Sequence, residues 1–169
     1  ALPIYHQTGV CCVRYPRGGE GKLPAGFAPD EAWSVRSISP KSPRKKLGLV
    51  TYGKETVQVC KAAEQLKEQG IAVSVLKLLR LLPFPEDSLR PLMGCDAILF
   101  VEEGIQSGGI GQMFGEKLLE RQYRGEYRIL AVDNRFVEQA STDRALALTG
   151  LDAAGIVRTC QTWLGIAAD

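Results

Sequence analysis

The sequence has one histidine, two methionines and no long apolar run. The histidine, His6, has no cysteine and no second histidine near it, which argues against a zinc site made from the usual ligands. No apolar stretch approaches the ~20 residues of a membrane span, and no charged and then apolar signal segment opens the chain. These absences argue against a metal module and against a membrane as partner. The first residue is alanine, which favours an excised or processed chain.

The five cysteines show neither the spacing of a metal site nor that of a disulfide scaffold. Cys11 and Cys12 are adjacent and would point to opposite faces of a strand. The odd number and the apolar surroundings favour reduced cysteines that serve in packing, as in a cytoplasmic protein. The other three are Cys60, Cys95 and Cys160.

Charge is spread unevenly along the chain. The net charge is +2, but residues 1–46 carry eight Lys or Arg residues against three acids, and the remainder has an excess of three acids. A basic segment suits a nucleic acid or a phosphate ester. Nucleic acid is disfavoured because few aromatic residues lie between the basic ones and no nucleic-acid motif is present.

Strand and helix patterns alternate along most of the chain. They predict strands over 10–15, 33–38, 47–52, 71–78, 97–101 and 127–132. They predict helices over 54–69 and about 86–93, a helix capped by Ser107, and two final helices, the last capped by Asp152. We expect a three-layer α/β/α domain with a mixed, mostly parallel five-stranded sheet. Its first strand, 33–38, is expected to pair antiparallel with 47–52.

Glycine and proline divide the chain near its start. Residues 19–30 contain too many of both to form a helix or a strand. We therefore predict a linker over 19–30, between the tail of a preceding domain at 1–18 and a main domain at 31–169.

Two arginines lie three residues apart at the end of the first strand pattern. Arg14 and Arg17 flank Tyr15-Pro16, and Gly18 closes the turn. Paired guanidinium groups suit the oxygens of a phosphate dianion better than a lysine does. The residues alone leave two alternatives open, a phosphate-binding pair and an ordinary pair of surface arginines.

A glycine-rich turn follows the acidic end of the strand at 97–101. Gly109, Gly111 and Gly115, with Asp133 after the next strand, approach the pattern of a dinucleotide-binding turn. The second and third glycines are one residue too far apart, and the acids would repel a pyrophosphate. A nucleotide site and a tightly packed strand-to-helix turn both stay open. The candidate residues are Glu102, Glu103, Gly108, Gly109 and Gly111.

These motifs, in this order, resemble the C-terminal third of transketolase-type, thiamine-diphosphate enzymes, above all the 1-deoxy-D-xylulose-5-phosphate synthases. Residues 9–18, Gly-Val-Cys-Cys-Val-Arg-Tyr-Pro-Arg-Gly, are similar to the family's Gly-Pro-Val-Ala-Ile-Arg-Tyr-Pro-Arg-Gly. An arginine of that string binds the phosphate of glyceraldehyde 3-phosphate in the family, which implies this role for Arg14 first and Arg17 second. Val-Glu-Glu-Gly followed by Gly-Gly-x-Gly also recurs there, with the acids facing bare helix N-termini.

A second phosphate-binding arginine of the family is displaced here. Within residues 70–86 the family arginine aligns with Leu79, and arginine follows one position later as Arg80. Neighbours on a strand face opposite sides, so either the turn brings Arg80 to the phosphate or this contact is missing. Residues 134–138 and 150–156 resemble the family's Asp-Arg-Phe and Gly-Leu-Asp-x-x-Gly-Ile segments.

The resemblance implies a full-length protein that binds thiamine diphosphate and Mg²⁺. That protein would condense pyruvate with glyceraldehyde 3-phosphate, with loss of carbon dioxide, to 1-deoxy-D-xylulose 5-phosphate for isoprenoid precursors. The family's Gly-Asp-Gly…Asn metal motif and activating glutamate are not in this sequence. We therefore expect no bound cofactor, no metal and no catalytic residue on this chain, which alone should be inactive.

The expected partners are the rest of the parent chain, a second subunit of a homodimer and the phosphorylated substrate. Two alternatives remain. One is a non-catalytic subunit-contact module of another transketolase or of a 2-oxo acid dehydrogenase beta-type protein. The other is a nucleotide-binding domain.

Overall fold

The computed structural model describes residues 8–15, 22, 24–28 and 31–166. The strands are β1 (Trp33–Ile38), β2 (Lys45–Tyr52), β3 (Ile71–Leu78), β4 (Ala97–Ile105) and β5 (Glu126–Val132). The α-helices are α1 (Thr56–Glu68), α2 (Ile110–Glu120), α3 (Thr142–Thr149) and α4 (Ala153–Leu164). Two 3₁₀ helices, Gly53–Glu55 and Glu86–Leu92, complete the described elements. None of the described helices is long and apolar enough to cross a membrane.

The strands form one five-stranded sheet in the order β1-β3-β2-β4-β5. β2, β3, β4 and β5 pair in parallel, and β1 pairs antiparallel at the edge. The predicted mixed sheet is therefore confirmed, but the predicted partner of β1 is wrong, since β1 pairs with β3 and not with β2. The physical reason is that β2 already pairs with β3 on one side and with β4 on the other, so it has no free edge.

Helices cover both faces of the sheet, as the three-layer prediction requires. One face of the sheet packs on α1 and α4 through side chains such as Leu49, Leu66 and Ile156. The other face packs on α2 and on the 3₁₀ helix Glu86–Leu92 through side chains such as Phe100 and Phe114. Alternate residues of β4 enter the two cores, as the twofold period of a strand dictates.

The predicted strand over residues 10–15 is wrong. In the structure this segment is exposed, and none of its described residues belongs to a strand. An isolated strand cannot satisfy its own backbone groups, and the described sheet supplies no partner for this one.

Of the predicted linker, the part around Phe27 packs against the core beside α1. The division into tail, linker and main domain stays a prediction.

Element ends differ slightly from the predicted ones. β2 begins at Lys45, two residues before the predicted strand over 47–52, and β4 runs on to Ile105, past the predicted end at residue 101. The predicted helix over 54–69 opens with a 3₁₀ turn, and the one near 86–93 is wholly 3₁₀. The cap of the last helix is confirmed, because the N–H of Gly155 donates to the Asp152 carboxylate at 2.9 Å.

Candidate functional site

The candidate site lies at the edge of the sheet where the parallel strands end. Tyr52 ends β2 and stands opposite Leu78, which ends β3. Glu102 belongs to the last part of the neighbouring strand β4. Open parallel sheets bind their ligands at this carboxyl edge, because the loops that follow the strands converge there.

Glu102 is the best-anchored side chain of this edge and is only 1% exposed. Its Oε2 atom accepts hydrogen bonds from the Tyr52 hydroxyl at 2.9 Å and from the N–H of Ile110 at 3.2 Å. Its Oε1 atom accepts a third from the N–H of Gly111 at 3.0 Å. Those amides are the unpaired donors of the first turn of α2, where a negative charge is favoured. A buried carboxylate from the neighbouring strand therefore caps α2.

The predicted cap, Ser107, does not cap this helix. The N-cap residue is Gly109, which has no side-chain oxygen to accept a hydrogen bond. The Ser107 hydroxyl instead accepts a hydrogen bond from the Asn134 amide at 2.7 Å. The reason is geometric, because Glu102 already occupies the amides that a capping serine would bind.

The glycines of the turn give the Glu102 carboxylate its room. A Cβ on Gly109 would collide with Glu102 Oε1, and one on Gly111 would lie 3.0 Å from the same atom. Gly108 has a φ of +74°, a conformation that side-chain-bearing residues rarely adopt. The glycines therefore allow the backbone amides of the turn to approach the buried Glu102 carboxylate.

A pyrophosphate would find the backbone N–H groups of residues 108–111 already bound. The amides of Ile110 and Gly111 bind Glu102, and the N–H of Gly108 donates to the Gln112 side chain at 2.8 Å. The geometry thus argues against the nucleotide-binding alternative here and equally against a cofactor diphosphate at the same amides.

Among the described residues, no group of three or more His, Cys, Asp or Glu side chains could hold a metal ion.

Arg14 lies beside the Tyr52 hydroxyl. Burial, followed by the charge of Glu102 and the hydrogen bond to it, raises the pKa of Tyr52 to about 12, while the nearby Arg14 guanidinium acts to lower that pKa. The arginine is exposed. Arg14 and Glu102, which the sequence presents in two separate motifs, therefore both act on Tyr52. Arg17 lies outside the described residues.

Arg80 lies at the same edge, just past the end of β3. The backbone N–H groups of Leu79 and Arg80 both donate to the carbonyl of Ala32 at 2.9 Å. Both side chains are exposed, so the turn does not bury Arg80. A role of Arg14, Arg17 or Arg80 in phosphate binding stays a prediction.

The two acids of β4 face opposite sides of the sheet. Glu103 is exposed, and the Lys54 Nζ atom lies 3.4 Å from its Oε1 atom. Only Glu102 of the pair bonds to the amides of α2. The expectation that both acids serve this helix is therefore wrong, because successive strand residues point to opposite faces.

Sequence reasoning missed one acid at this edge, Glu55. It lies in the 3₁₀ turn before α1, is 2% exposed, and its carboxylate oxygens have no hydrogen-bond donor. Burial, and then the charge of Glu103, raises the pKa of Glu55 to about 8. A glutamate in the first turn of a helix is ordinarily exposed, so no sequence pattern signals this burial.

A family model and the curated relatives agree on one family. The family model described as "Transketolase, C-terminal domain" matches residues 37–156. A 1-deoxy-D-xylulose-5-phosphate synthase of a Synechococcus strain is 31% identical over 157 residues, which are 90% of this chain and 24% of that protein. The synthase of Alkalilimnicola ehrlichii is 30% identical over 164 residues, 95% of this chain and 25% of that protein.

Solved structures agree on the fold. A structure described as a split-gene transketolase in an inactive β4 tetramer superimposes with a TM-score of 0.73 at 26% identity, covering 90% of this chain and 49% of that one. A Pichia stipitis transketolase superimposes with a TM-score of 0.53 at 19% identity, covering 78% of this chain and 18% of that one, which supports the fold alone. The chain spans about a quarter of the length of the curated relatives it matches.

Proposed function

The chain belongs to the family of transketolase C-terminal domains, and from this premise we propose that it is the C-terminal part of a 1-deoxy-D-xylulose-5-phosphate synthase. The whole protein would condense pyruvate with glyceraldehyde 3-phosphate, with loss of carbon dioxide. The support is identity of about 30% to such synthases over most of this chain. The isolated chain is inactive in this proposal, because the relatives carry about three quarters of their length elsewhere.

In that protein, thiamine diphosphate held with Mg²⁺ supplies the carbanion chemistry. The residues of this chain bind and orient the acceptor. A homodimer and a cytoplasmic location belong to the same proposal. The latter agrees with the free thiols of the buried Cys60, Cys95 and Cys160.

The observation that carries the substrate role is the position of Arg14. Its exposed guanidinium lies at the carboxyl edge of a parallel sheet, beside a tyrosine whose hydroxyl is oriented by Glu102. A guanidinium has five N–H donors, so that a contact with Tyr52 leaves donors for a phosphate dianion. Arg17 is the second candidate of the string, and Arg80, at the same edge, is the third.

The experiment is a chimaera in which this chain replaces the equivalent part of the Synechococcus synthase, with kinetics measured for both substrates. Losing one charge-assisted contact to phosphate weakens binding by about 1.5–3 kcal/mol, roughly ten- to a hundredfold. We expect Arg14→Ala to raise the KM for glyceraldehyde 3-phosphate by that factor and to leave the KM for pyruvate, which has no phosphate, unchanged. Arg17→Ala should have a smaller effect of the same kind.

Arg135→Ala is the matched control, since this exposed arginine pairs locally with Asp133 at 3.5 Å. A pair of that kind contributes about 0–1 kcal/mol to stability and nothing to substrate selectivity. Equal effects of Arg14→Ala on both substrates, or no effect on either, would refute the phosphate role.

A second candidate function is that of a subunit-contact module without substrate contacts. It is favoured by large apolar side chains that stay exposed at or just after the ends of β3, β4 and β5. These side chains are Leu79, Leu82, Ile105 and Phe136. In the same chimaera, Arg80→Ala separates the two functions: an unchanged KM for the phosphorylated acceptor favours a contact module, and a large rise favours substrate binding.

A further inference from the structure

Glu55 has an environment in which a carboxylate ion is poorly stabilised. Both of its oxygens are buried without a donor. The charged groups that act on it are Glu103 of β4, Asp152 at the start of α4, and Lys54 of its own turn. The one cation among these, Lys54, pairs with Glu103 at 3.4 Å. Asp152 accepts the N–H of Gly155 and adds a second acidic group near Glu55.

An ionised carboxyl in this position would be both desolvated and repelled by two other carboxylates. A protonated one would gain a partner, because its O–H can donate to Glu103, which acts on Glu55 and pairs with Lys54 of the same turn. This single change removes the charge and satisfies the buried group. The arrangement therefore favours a protonated Glu55 that donates to Glu103.

The end of β4 is the part of the sheet that this proton can affect. β4 pairs with β2 only as far as Phe100, and its register with β5 breaks between Val101 and Ile105. Residues 102–104 thus lie outside the regular ladder on both sides. Side chains fix them instead, through Tyr52 on Glu102 and Lys54 on Glu103.

We propose that Glu55 is protonated at neutral pH and donates to Glu103, and that this hydrogen bond holds the acidic end of β4 in place beside the Arg14–Tyr52–Glu102 cluster. Glu55 is then a positioning residue. It acts on the candidate site through Glu103, next to Glu102 in the chain. The link to a substrate phosphate depends on the proposed function, whereas the protonation of Glu55 does not.

The direction of the pH effect follows from the raised pKa. Glu55 has an ordinary value of 4.5 in the unfolded chain and about 8 in the folded one. The folded state then binds the extra proton between these values, so this group's contribution to stability is complete below about 4.5, declines as pH rises, and is lost above about 8.

The test is a carbon-13 NMR titration of the glutamate carboxyl groups in the 169-residue chain, assigned with Glu55→Gln. We expect the Glu55 signal to titrate near pH 8 and to move to lower pH in Glu103→Gln, where the neighbouring charge is gone. A Glu55 signal that titrates near 4.5 would overturn the proposal. So would a shift of that signal at pH 7 on adding excess MgCl₂ or KCl, because the occupant would then be a metal cation.

Thermal unfolding from pH 5 to pH 9 gives a second readout. The amide that Glu55→Gln introduces can donate to Glu103 at every pH, so this variant should lose the decline in Tm that the unaltered chain shows between pH 5 and pH 8. Glu116→Gln, at an exposed position of α2, is the matched control and should keep the decline. Parallel profiles for all three proteins would contradict the proposal. These measurements need no substrate, so failure of the phosphate role leaves their outcome unaffected.

Discussion

Replacing Glu102 by alanine tests whether an internal carboxylate organises the edge of the sheet. The change removes one acceptor group that binds three donors, of which the amide of Gly111 is buried and the other two are partly covered. Hydrogen bonds to a charged group contribute about 1.5–3 kcal/mol each, and water can replace part of this at the two partly covered donors. We therefore expect the free energy of unfolding to fall by about 3–5 kcal/mol.

Urea unfolding of the isolated chain, followed by circular dichroism, measures this loss directly. In thermal unfolding the same loss corresponds to a fall in Tm of roughly 6–20 °C for a domain of this size. Glu102→Gln, which keeps one carbonyl oxygen, should lose less stability than Glu102→Ala. Glu116→Ala, on the exposed side of the helix that Glu102 caps, should stay within about 0.5 kcal/mol of the unaltered chain.

The hydrogen exchange of the Gly111 amide distinguishes a lost cap from a general loss of packing. It should become faster in Glu102→Ala than in a variant of equal overall stability. A loss below about 1 kcal/mol, or protection of Gly111 equal to that in the unaltered chain, would refute the role given to Glu102.

Two further outcomes follow from the same geometry. Gly111→Ala places a Cβ within 3.0–3.1 Å of Glu102, Ile129 and Phe100, so we expect about 1–3 kcal/mol of destabilisation in urea unfolding. Gly94→Ala is the control, because its Cβ would meet nothing within 4 Å. Equal stability of the two variants would contradict the argument. The purified chain, given pyruvate, thiamine diphosphate and Mg²⁺, should release no carbon dioxide above background, and turnover would refute the fragment proposal.

Local patterns in the sequence predicted most elements, because the strands and helices of this domain bury regular faces. They did not predict which strand β1 joins. That choice depends on β2 being flanked on both sides, which is a property of the whole sheet. The strand expected at 10–15 failed for a related reason, since an apolar run forms a strand only where another strand offers it a ladder.

The candidate site could be predicted from the sequence only where the residues that contact each other lie in one short motif. The acid and glycine pattern around Glu102 and Gly111 indicated a special turn, and the structure shows the carboxylate that the turn encloses. The approach of Arg14 to Tyr52 could not be foreseen, because the two residues belong to segments with no common pattern. Glu55 was missed because two acids that act on it, Glu103 of β4 and Asp152 at the start of α4, lie far from it in the sequence.

The capped end of α2 also has a consequence for salt sensitivity. A free anion at a helix N-terminus is exchanged for others as the ionic composition of the solvent changes. Glu102 is tethered to the neighbouring strand, so its effective concentration at those amides is in the range of millimolar or above whatever the solvent contains. Phosphate or sulfate in a buffer would have to displace a ligand that cannot diffuse away. The first turn of α2 should therefore keep the same shape in dilute buffer and in concentrated phosphate.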